Sequence, residues 1–456
     1  MRVRAGGCDV VSATRLAGLL PDLGWRGLIH ATTDGLEARL ASGAPLRAYN
    51  GFDPTFHSLH VGHLIPIFGL VRLQRFGGQP VAVVGGGTGL IGDPSGRSAE
   101  RPLLDRSAIQ ANVHAIRDQL AHYLDFAPGP TQALLVNNLD WLGDARLLDF
   151  LRDIGKHFTV PYMLAKDSVQ VRMDKGLSFT EFSYMLLQAT DFMHLHRSYG
   201  VELQCGGADQ WGNITAGLEL IRRTTGLRRP GADGGPDPVH GLAYPLLLNA
   251  SGAKFGKSES GESIWLDPAL TSPYRFYQYW LDAEDRDVGT YLRWFTLFDR
   301  VQIEELEAGQ AANPERRGAQ RALARDLTER THGRGAADRV ARVSELLFGG
   351  DPAAADAQTL ADLAAEIPAA PWPEGEPADP ARPGLDLVEV LLLAGAASSR
   401  GEARRLVEQG GIHVNGRPAR DLEERFTADD LLAGRFLLVR RGKRDQRVLV
   451  RGQERA

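Results

Sequence analysis

Cysteine is nearly absent from this chain of 456 residues: Cys8 and Cys205 are the only two. Two thiols so far apart give no disulfide framework and no zinc-binding spacing. Cys205 reads as a small buried apolar residue. No apolar run reaches the length of a membrane span. Behind Arg2 and Arg4 there is no apolar segment of a signal peptide, so a reducing cytoplasm is the expected setting. No short repeat and no coiled-coil heptads occur. Net charge is also small, −5 overall, which by itself says little for nucleic-acid binding. Its distribution says more. From Arg400 to Ala456 there are 14 Lys and Arg against 9 Asp and Glu, a local charge of +5, leaving about −10 on the rest. A basic tail on an acidic body suits RNA contact through the tail alone.

The stretch around which the chain is organised is Tyr49–His63, YNGFDPTFHSLHVGH. Asp53-Pro54-Thr55 is a turn or helix-start signal, because Asp and Thr can satisfy free backbone N–H groups and Pro fixes φ. His60 and His63 are three apart and share a face at the start of a helix-like run. Free N–H donors and the positive dipole end gather there, which suits a phosphate. Gly62 leaves room for a flat ring against the backbone. Two histidines at this spacing could also hold a metal, but no further His or Cys cluster completes a site. A strand, a turn and a buried helix with ordinary histidines is the plain alternative.

Strands alternate with helices over residues 30–250, which predicts an α/β, doubly wound parallel sheet. Leu46–Tyr49 and Pro80–Val84 read as strands, the second buried on both faces. Further strands are expected at Ala133–Asn137, Val201–Gln204 and Pro245–Leu248, and a helix over Trp141–Phe158. The glycine-rich 85–101 stretch is neither a P-loop nor a well-spaced dinucleotide fingerprint. The 177–195 segment has helical period and carries Tyr184, Gln188 and Asp191 on one face. Three polar groups on a mostly apolar helix point to a pocket, since buried polar groups need partners. In open α/β sheets ligands bind beyond the strand carboxyl ends, which places Asp209 and Gln210 to meet a ribose or a carboxylate.

The organisation expected is a flexible extension over 1–20, an α/β domain over 21–267, a helical domain over 268–348, a linker over 349–384 and a C-terminal α+β domain over 385–456. The linker reading rests on Pro, Ala and acidic residues. The last block offers two short helices, a hairpin turning at Asn415-Gly416 and a basic strand. It looks like the S4-type RNA-binding domain. Arg400, Arg404 and Arg405 would meet RNA phosphates there, although a small module for protein contacts has a similar outline.

HVGH resembles the HIGH signature of class I aminoacyl-tRNA synthetases, and KFGKS at 254–258 resembles their KMSKS loop, in the same order. With GGTGLIGDPSGRSAER, FSYMLLQATDF, LQCGGADQWGN and the S4-like block, the chain resembles the bacterial tyrosyl-tRNA synthetases over about Trp25 to Arg451. The resemblance implies that the α/β domain over 21–267 is a Rossmann-like, HIGH-type catalytic domain that activates tyrosine with ATP and Mg²⁺ and passes it to tRNA(Tyr), and that the helical domain over 268–348 is tRNA-binding. No dedicated carboxylate cage for the Mg²⁺ is visible. It also implies residue roles. Thr55, His60, His63, Lys254 and Lys257 would be catalytic. Tyr49 and Asp191 would bond the phenol, Asp93, Tyr184 and Gln188 the α-amino group, with Gln204 and Gln210 completing the tyrosine pocket. Gly51, Asp53, Gly62, Gly207, Asp209, Lys257 and Ser258 would hold ATP. Arg222, Arg223 and Lys166 would meet the acceptor stem, and Phe179 would lie at the two-fold interface of a homodimer. Asn50, Phe56, His57 and Arg97 depart from the family pattern. Two other outcomes stay open: a tryptophan-specific or tRNA-free adenylyl-transfer enzyme, and an RNA-binding protein on a disabled synthetase scaffold.

Overall fold

The computed structural model describes residues 15–93, 105–166, 169–170, 173, 176–225, 237–246, 263–347, 350–373, 384–442 and 445–452. It divides into two compact units. One holds residues up to 271 together with 279–331, the other 272–278 together with 332–456. The helical segment expected as one domain over 268–348 is therefore shared between the two.

The first unit is built on a six-stranded sheet. Its strands are β1 (Ala31–Thr32), β2 (Arg47–Phe52), β3 (Gln79–Val84), β4 (Leu134–Asn137), β5 (Leu203–Gly207) and β6 (His240–Tyr244), in the order β1-β6-β5-β2-β3-β4. All neighbours pair in parallel except the edge strand β1, which runs antiparallel to β6. The chain winds outward from β2 through β3 to β4, then returns to the other side of β2 for β5 and β6. The carboxyl ends of β2 and β5 thus flank the point where winding reverses, where such sheets leave a crevice. Strand β3 is buried from Pro80 to Val84, the mark of a strand covered on both faces.

Behind β2 runs the helix that follows the histidine motif, Leu64–Arg75. Nine of its twelve residues are buried, so it is a core helix rather than an amphipathic surface one. The guanidinium of Arg72 on this helix donates to the carbonyls of Trp294 and Thr296, both at 2.8 Å, and Arg26 donates to that of Phe298, also at 2.8 Å. These carbonyls close and follow the helix Asp285–Phe295. Their orphan acceptors are thus met by buried cations, and the helices of 279–331 are bound into the first unit.

Four local expectations change. Leu16, Leu19 and Leu23 are buried, and a helix already spans Leu19–Trp25, so order begins before residue 20. Residues 1–14 lie outside those described. The single helix expected over Trp141–Phe158 is broken at Gly143-Asp144 into Leu139–Leu142 and Leu147–Asp153, with a tight turn over Gly155–His157. The last strand of the sheet ends at Tyr244, because Pro245 has no N–H for the ladder. The span 349–384 is not a linker throughout. Asp356 caps a helix over Ala357–Glu366 by accepting the Thr359 N–H at 2.7 Å, and Leu360 and Leu363 are wholly buried. An Ala-rich, acidic composition concealed that i, i+3 apolar pair.

The second unit holds a sheet in the order β10-β9-β12-β13-β7, formed by β7 (Ala369–Pro371), β9 (Ile412–Val414), β10 (Arg417–Pro418), β12 (Phe436–Arg441) and β13 (Asp445–Val450). A separate pair is formed by β8 (Leu385–Asp386) and β11 (Arg425–Phe426). Asn415 and Gly416 have φ of 49° and 81°, as the two centre positions of a primed hairpin turn require. Helices Leu387–Leu393 and Arg400–Glu408 supply Leu387, Leu391, Ala403 and Val407 to the core on one side of this sheet. No helix among the described residues is long and apolar enough to cross a membrane.

Candidate active site

The crevice at the β2/β5 reversal is a cavity of about 410 Å³. It is walled by Tyr49 to Asp53 from β2, Gln204 to Gly207 from β5, the histidine motif, and Tyr184, Gln188 and Asp191 from the helix Phe179–Tyr199. Ser178 caps that helix by accepting the Glu181 N–H at 3.2 Å, and Gly200 ends it at φ 63°. Its three polar residues at i, i+4 and i+7 therefore look into one space, as their spacing predicts.

At the tyrosine-motif end, Asp191 is buried and its carboxylate accepts two bonds. Trp141 Nε1–H donates to Oδ1 at 2.8 Å and Asn138 Nδ2–H to Oδ2 at 2.9 Å. Burial raises its pKa to about 7, against these two donors, which pull it down. Tyr49 is buried beside it, and its hydroxyl has no partner among the described residues. Burial first, then the Asp191 charge, holds the Tyr49 phenol well above its ordinary range, so it stays a neutral O–H. A buried donor and a buried carboxylate facing one cavity form a matched pair for a ligand hydroxyl, which can accept from one and donate to the other.

Beside this pair, Asp53 is held in place. Its Oδ1 accepts from Thr88 Oγ1 and its Oδ2 from the Tyr184 hydroxyl, both at 2.8 Å. A Cβ on Gly85 would fall 2.2 Å from Asp53 Oδ1, so this glycine is required by close approach. Burial and then the Asp53 charge raise the Tyr184 phenol well above its ordinary range. Gln210 Nε2 donates to Asp93 at 2.7 Å, and Asn213 donates to Gln188 at 2.9 Å and to Gln210 at 3.2 Å. Asp93 thus acts through Gln210 and is not itself on the cavity wall. Cys205 lies on the wall as a buried thiol, pushed up to about 12 by burial.

At the other end, the histidines form a small reciprocal cap. His60 Nδ1 accepts the Gly62 N–H at 3.0 Å, and His63 Nδ1 accepts the His60 N–H at 3.1 Å. A ring nitrogen that accepts carries no proton, so the hydrogen-bond network assigns the N–H to Nε2 of both rings. The rings lie 4.1 Å apart at 48°. A Cβ on Gly62 would sit 2.7 Å from His60 Cε1; the flat ring that its absence admits is, in this structure, that of His60. The chain returning at Ile264–Leu266 is pinned beside the motif, with the Val61 N–H on Ile264 at 3.0 Å and the Leu266 N–H on Leu59 at 2.8 Å. Phe56, one of the departures from the family pattern, stacks there on Trp265 with ring centroids 4.7 Å apart and also lies 4.2 Å from His57.

Of the expected residues, Tyr49, Gly51, Asp53, His60, Gly62, His63, Tyr184, Gln188, Asp191, Gln204, Gly207, Asp209 and Gln210 all line this cavity. Thr55 is exposed on the adjoining turn and does not. Lys254, Lys257, Ser258 and Arg97 lie outside the described residues. Arg222 is ion-paired with Asp237, and Arg223 with Glu219 at 2.7 Å, so both cations already have partners. Lys166 donates to Thr215 at 3.2 Å and covers the Tyr162 ring at 4.3 Å. Arg400, Arg404 and Arg405 are exposed on their helix. Missed from sequence were Thr88, Asn138, Trp141 and Asn213. The Asn137-Asn138 pair after a buried parallel strand was the available signal, because strand carboxyl ends are where polar side chains meet a ligand.

A family model described as tRNA synthetases class I (W and Y) matches residues 41–349, and one described as the tyrosine–tRNA ligase SYY-like C-terminal domain matches 377–449. The tyrosine–tRNA ligase of Roseiflexus castenholzii is 50% identical over 432 residues, covering 93% of this chain and 97% of that protein. That of Geobacillus stearothermophilus is 46% identical over 428 residues, covering 93% and 98%. Among solved structures, a C-terminally truncated mitochondrial tyrosyl-tRNA synthetase from Aspergillus nidulans matches at a TM-score of 0.65 and 30% identity, covering 74% of this chain and 98% of that one. On these matches, from motif to full length, the chain belongs to the tyrosine–tRNA ligases, the tyrosyl-tRNA synthetases of class I.

Proposed function

We propose that this cavity activates L-tyrosine with ATP and that the product is passed to the 3′ end of tRNA(Tyr). The observation that carries the reading is the buried pair of an unpartnered Tyr49 hydroxyl and the Asp191 carboxylate on one wall. A tyrosine phenol donates to Asp191 and accepts from Tyr49. Phenylalanine leaves both groups buried and unmet, and this refuses it. Tyr184, Gln188, Gln204 and the Asp93–Gln210 pair hold the amino-acid head. In the first step the tyrosine carboxylate oxygen bonds to the α-phosphorus and the bond to the bridging oxygen breaks, so that pyrophosphate leaves with that electron pair. This asks the protein for in-line positioning and for donors where charge grows. Nε2–H of His60 and His63, with Thr55, Lys254 and Lys257, are those donors. Gly51, Asp53, Gly62, Gly207, Asp209 and Ser258 hold the nucleotide. In the second step a ribose hydroxyl of the tRNA end attacks the acyl carbon and AMP leaves.

Mg²⁺ accompanies ATP as its counter-ion, bound mainly by phosphate oxygens and water. Arg400, Arg404 and Arg405 take tRNA phosphates. The working form is a homodimer in the cytoplasm. Leu147 and Leu148 on one short helix, Val160 on the next and Phe179 are all exposed, Phe179 at 77% and Leu148 at 78%, and exposed large apolar side chains favour burial against a second copy.

Amino-acid-dependent exchange of labelled pyrophosphate into ATP tests the reading, run with tyrosine, phenylalanine and tryptophan in parallel. Exchange with tyrosine alone is expected, and exchange with tryptophan overturns the pocket assignment. Sedimentation of Leu148→Glu against the unaltered chain tests the dimer, with a shift toward monomer expected.

A further inference from the structure

Trp141 stands on the helix Leu139–Leu142, a single turn that buries none of its residues completely. Trp141 packs, partly buried, against the core that holds Phe192 and Met193, and its indole N–H is aimed at Asp191 Oδ1, 2.8 Å away. What covers the indole face is His194. Its imidazole lies flat on Trp141, with ring centroids 4.4 Å apart and planes 12° from parallel. Asp191 and His194 are three residues apart on the helix Phe179–Tyr199, so their side chains leave neighbouring turns of one face. The indole is thus held at two points by one rigid element, by its edge at Asp191 and by its face at His194. Tyr199 is a further ring neighbour of His194, with centroids 6.1 Å apart and planes tilted by 55°. Burial lowers the His194 pKa below its ordinary value, which keeps a neutral flat ring on the indole at neutral pH.

We infer that His194 is a positioning residue for tyrosine recognition: its ring clamps the Trp141 indole so that the indole N–H stays directed at the Asp191 carboxylate. The inference rests on the reading of Asp191 as the acceptor of the substrate phenol. Without the clamp the indole swings and Asp191 Oδ1 loses a donor. A buried carboxylate with fewer donors is harder to keep ionised and is a poorer acceptor for a phenol. Neither His194 nor Trp141 lines the cavity, so the effect belongs to tyrosine and not to ATP.

Pyrophosphate exchange on the full-length chain decides the matter. In His194→Ala, KM for tyrosine is expected to rise about three- to tenfold, the range that an aromatic pair carries, while KM for ATP holds within about twofold. The preference for tyrosine over phenylalanine falls with it. His194→Phe keeps a flat ring on the indole and restores both. Trp141→Phe, which keeps a ring and removes the N–H, raises KM for tyrosine in the same way, and adding His194→Ala to it gives little more. Should His194→Ala not fold, His194→Gln, of similar size and without a ring, gives the same reading. An unchanged tyrosine KM in the Ala or Gln variant overturns the inference. So does an equal rise for tyrosine and ATP, or a Phe variant as impaired as Ala. If the unaltered enzyme shows no tyrosine-dependent exchange, the pocket assignment fails first; if it does, only the role of His194 is at stake.

Discussion

In the first unit charged side chains are taken into the interior: Arg26, Arg72, Asp93, Glu181 and Asp191 are all nearly inaccessible. In the second unit the buried polar side chains among the described residues are Ser344, Thr359 and Gln446, none of them charged. Its arginines at 400, 404 and 405 stand in solvent. Arg26 and Arg72 are buried to meet helix-end carbonyls, while the burial of Asp93 and Asp191 fits the roles proposed for the two units. A small amino acid offers few atoms, so selecting it requires fixed donors and acceptors in a dry site, where a mismatch is costly. A polyanion offers many phosphates, and exposed cations gain from each without fixed geometry. The first unit therefore bears the cost of buried polar groups that an apolar core would avoid, and the second keeps an apolar core of Leu, Val and Ala.

Changes in the buried network should then act on tyrosine activation, and changes on the surface should act on charging alone. The largest effect is expected for His60→Ala, which in the proposed mechanism removes an N–H from the growing phosphate charge. The turnover number of pyrophosphate exchange falls about 100- to 1000-fold, with KM for tyrosine little altered. Next comes Asp191→Asn, for which kcat/KM with tyrosine falls about 10- to 100-fold while KM for ATP holds. The pH profile of the unaltered enzyme sharpens this case. Asp191 has its pKa near 7, and the ionised form accepts the phenol hydrogen, so KM for tyrosine should rise as pH drops through about 7.

A smaller and different effect is expected from replacing Arg400, Arg404 and Arg405 together by Gln. Tyrosine-dependent exchange stays unchanged, KM for tRNA rises, and the slope of log affinity against log salt loses about 2 to 3. If exchange falls as well, the separation of roles between the two units is wrong. The smallest effect is expected from Asp356→Ala, which removes one helix cap. A loss of about 1 kcal/mol in the unfolding of the C-terminal unit follows if the Ala357–Glu366 helix is part of that unit. No change in denaturant midpoint would return this stretch to the status of a connector.

The hairpin turn was legible in the sequence because Asn415-Gly416 makes it by its own local φ preferences. The helix stripe of Tyr184, Gln188 and Asp191 was legible for the same reason, since 3.6-residue periodicity is local. The caps that His60 puts on Gly62 and Ser178 on Glu181 were not foreseen, and the Asp53 carboxylate, expected at a turn or helix start, meets Thr88 and Tyr184 instead. Composition misled over residues 357–366, where two buried leucines outweigh the surrounding Ala and Asp.

The sequence by itself thus determined the strand–helix alternation, the signature motifs and half of the cavity-lining residues, because each depends on short-range geometry or on a motif that its family shares. Only the tertiary structure decided how those residues are wired. Tyr184 meets Asp53 across 131 positions, Gln210 meets Asp93 across 117, and Asn138 meets Asp191 across 53. Such pairs exist because the sheet sets the carboxyl ends of β2, β4 and β5 near the helix Phe179–Tyr199. Strand order is a property of the whole packed core, and no local pattern encodes which loops it brings together.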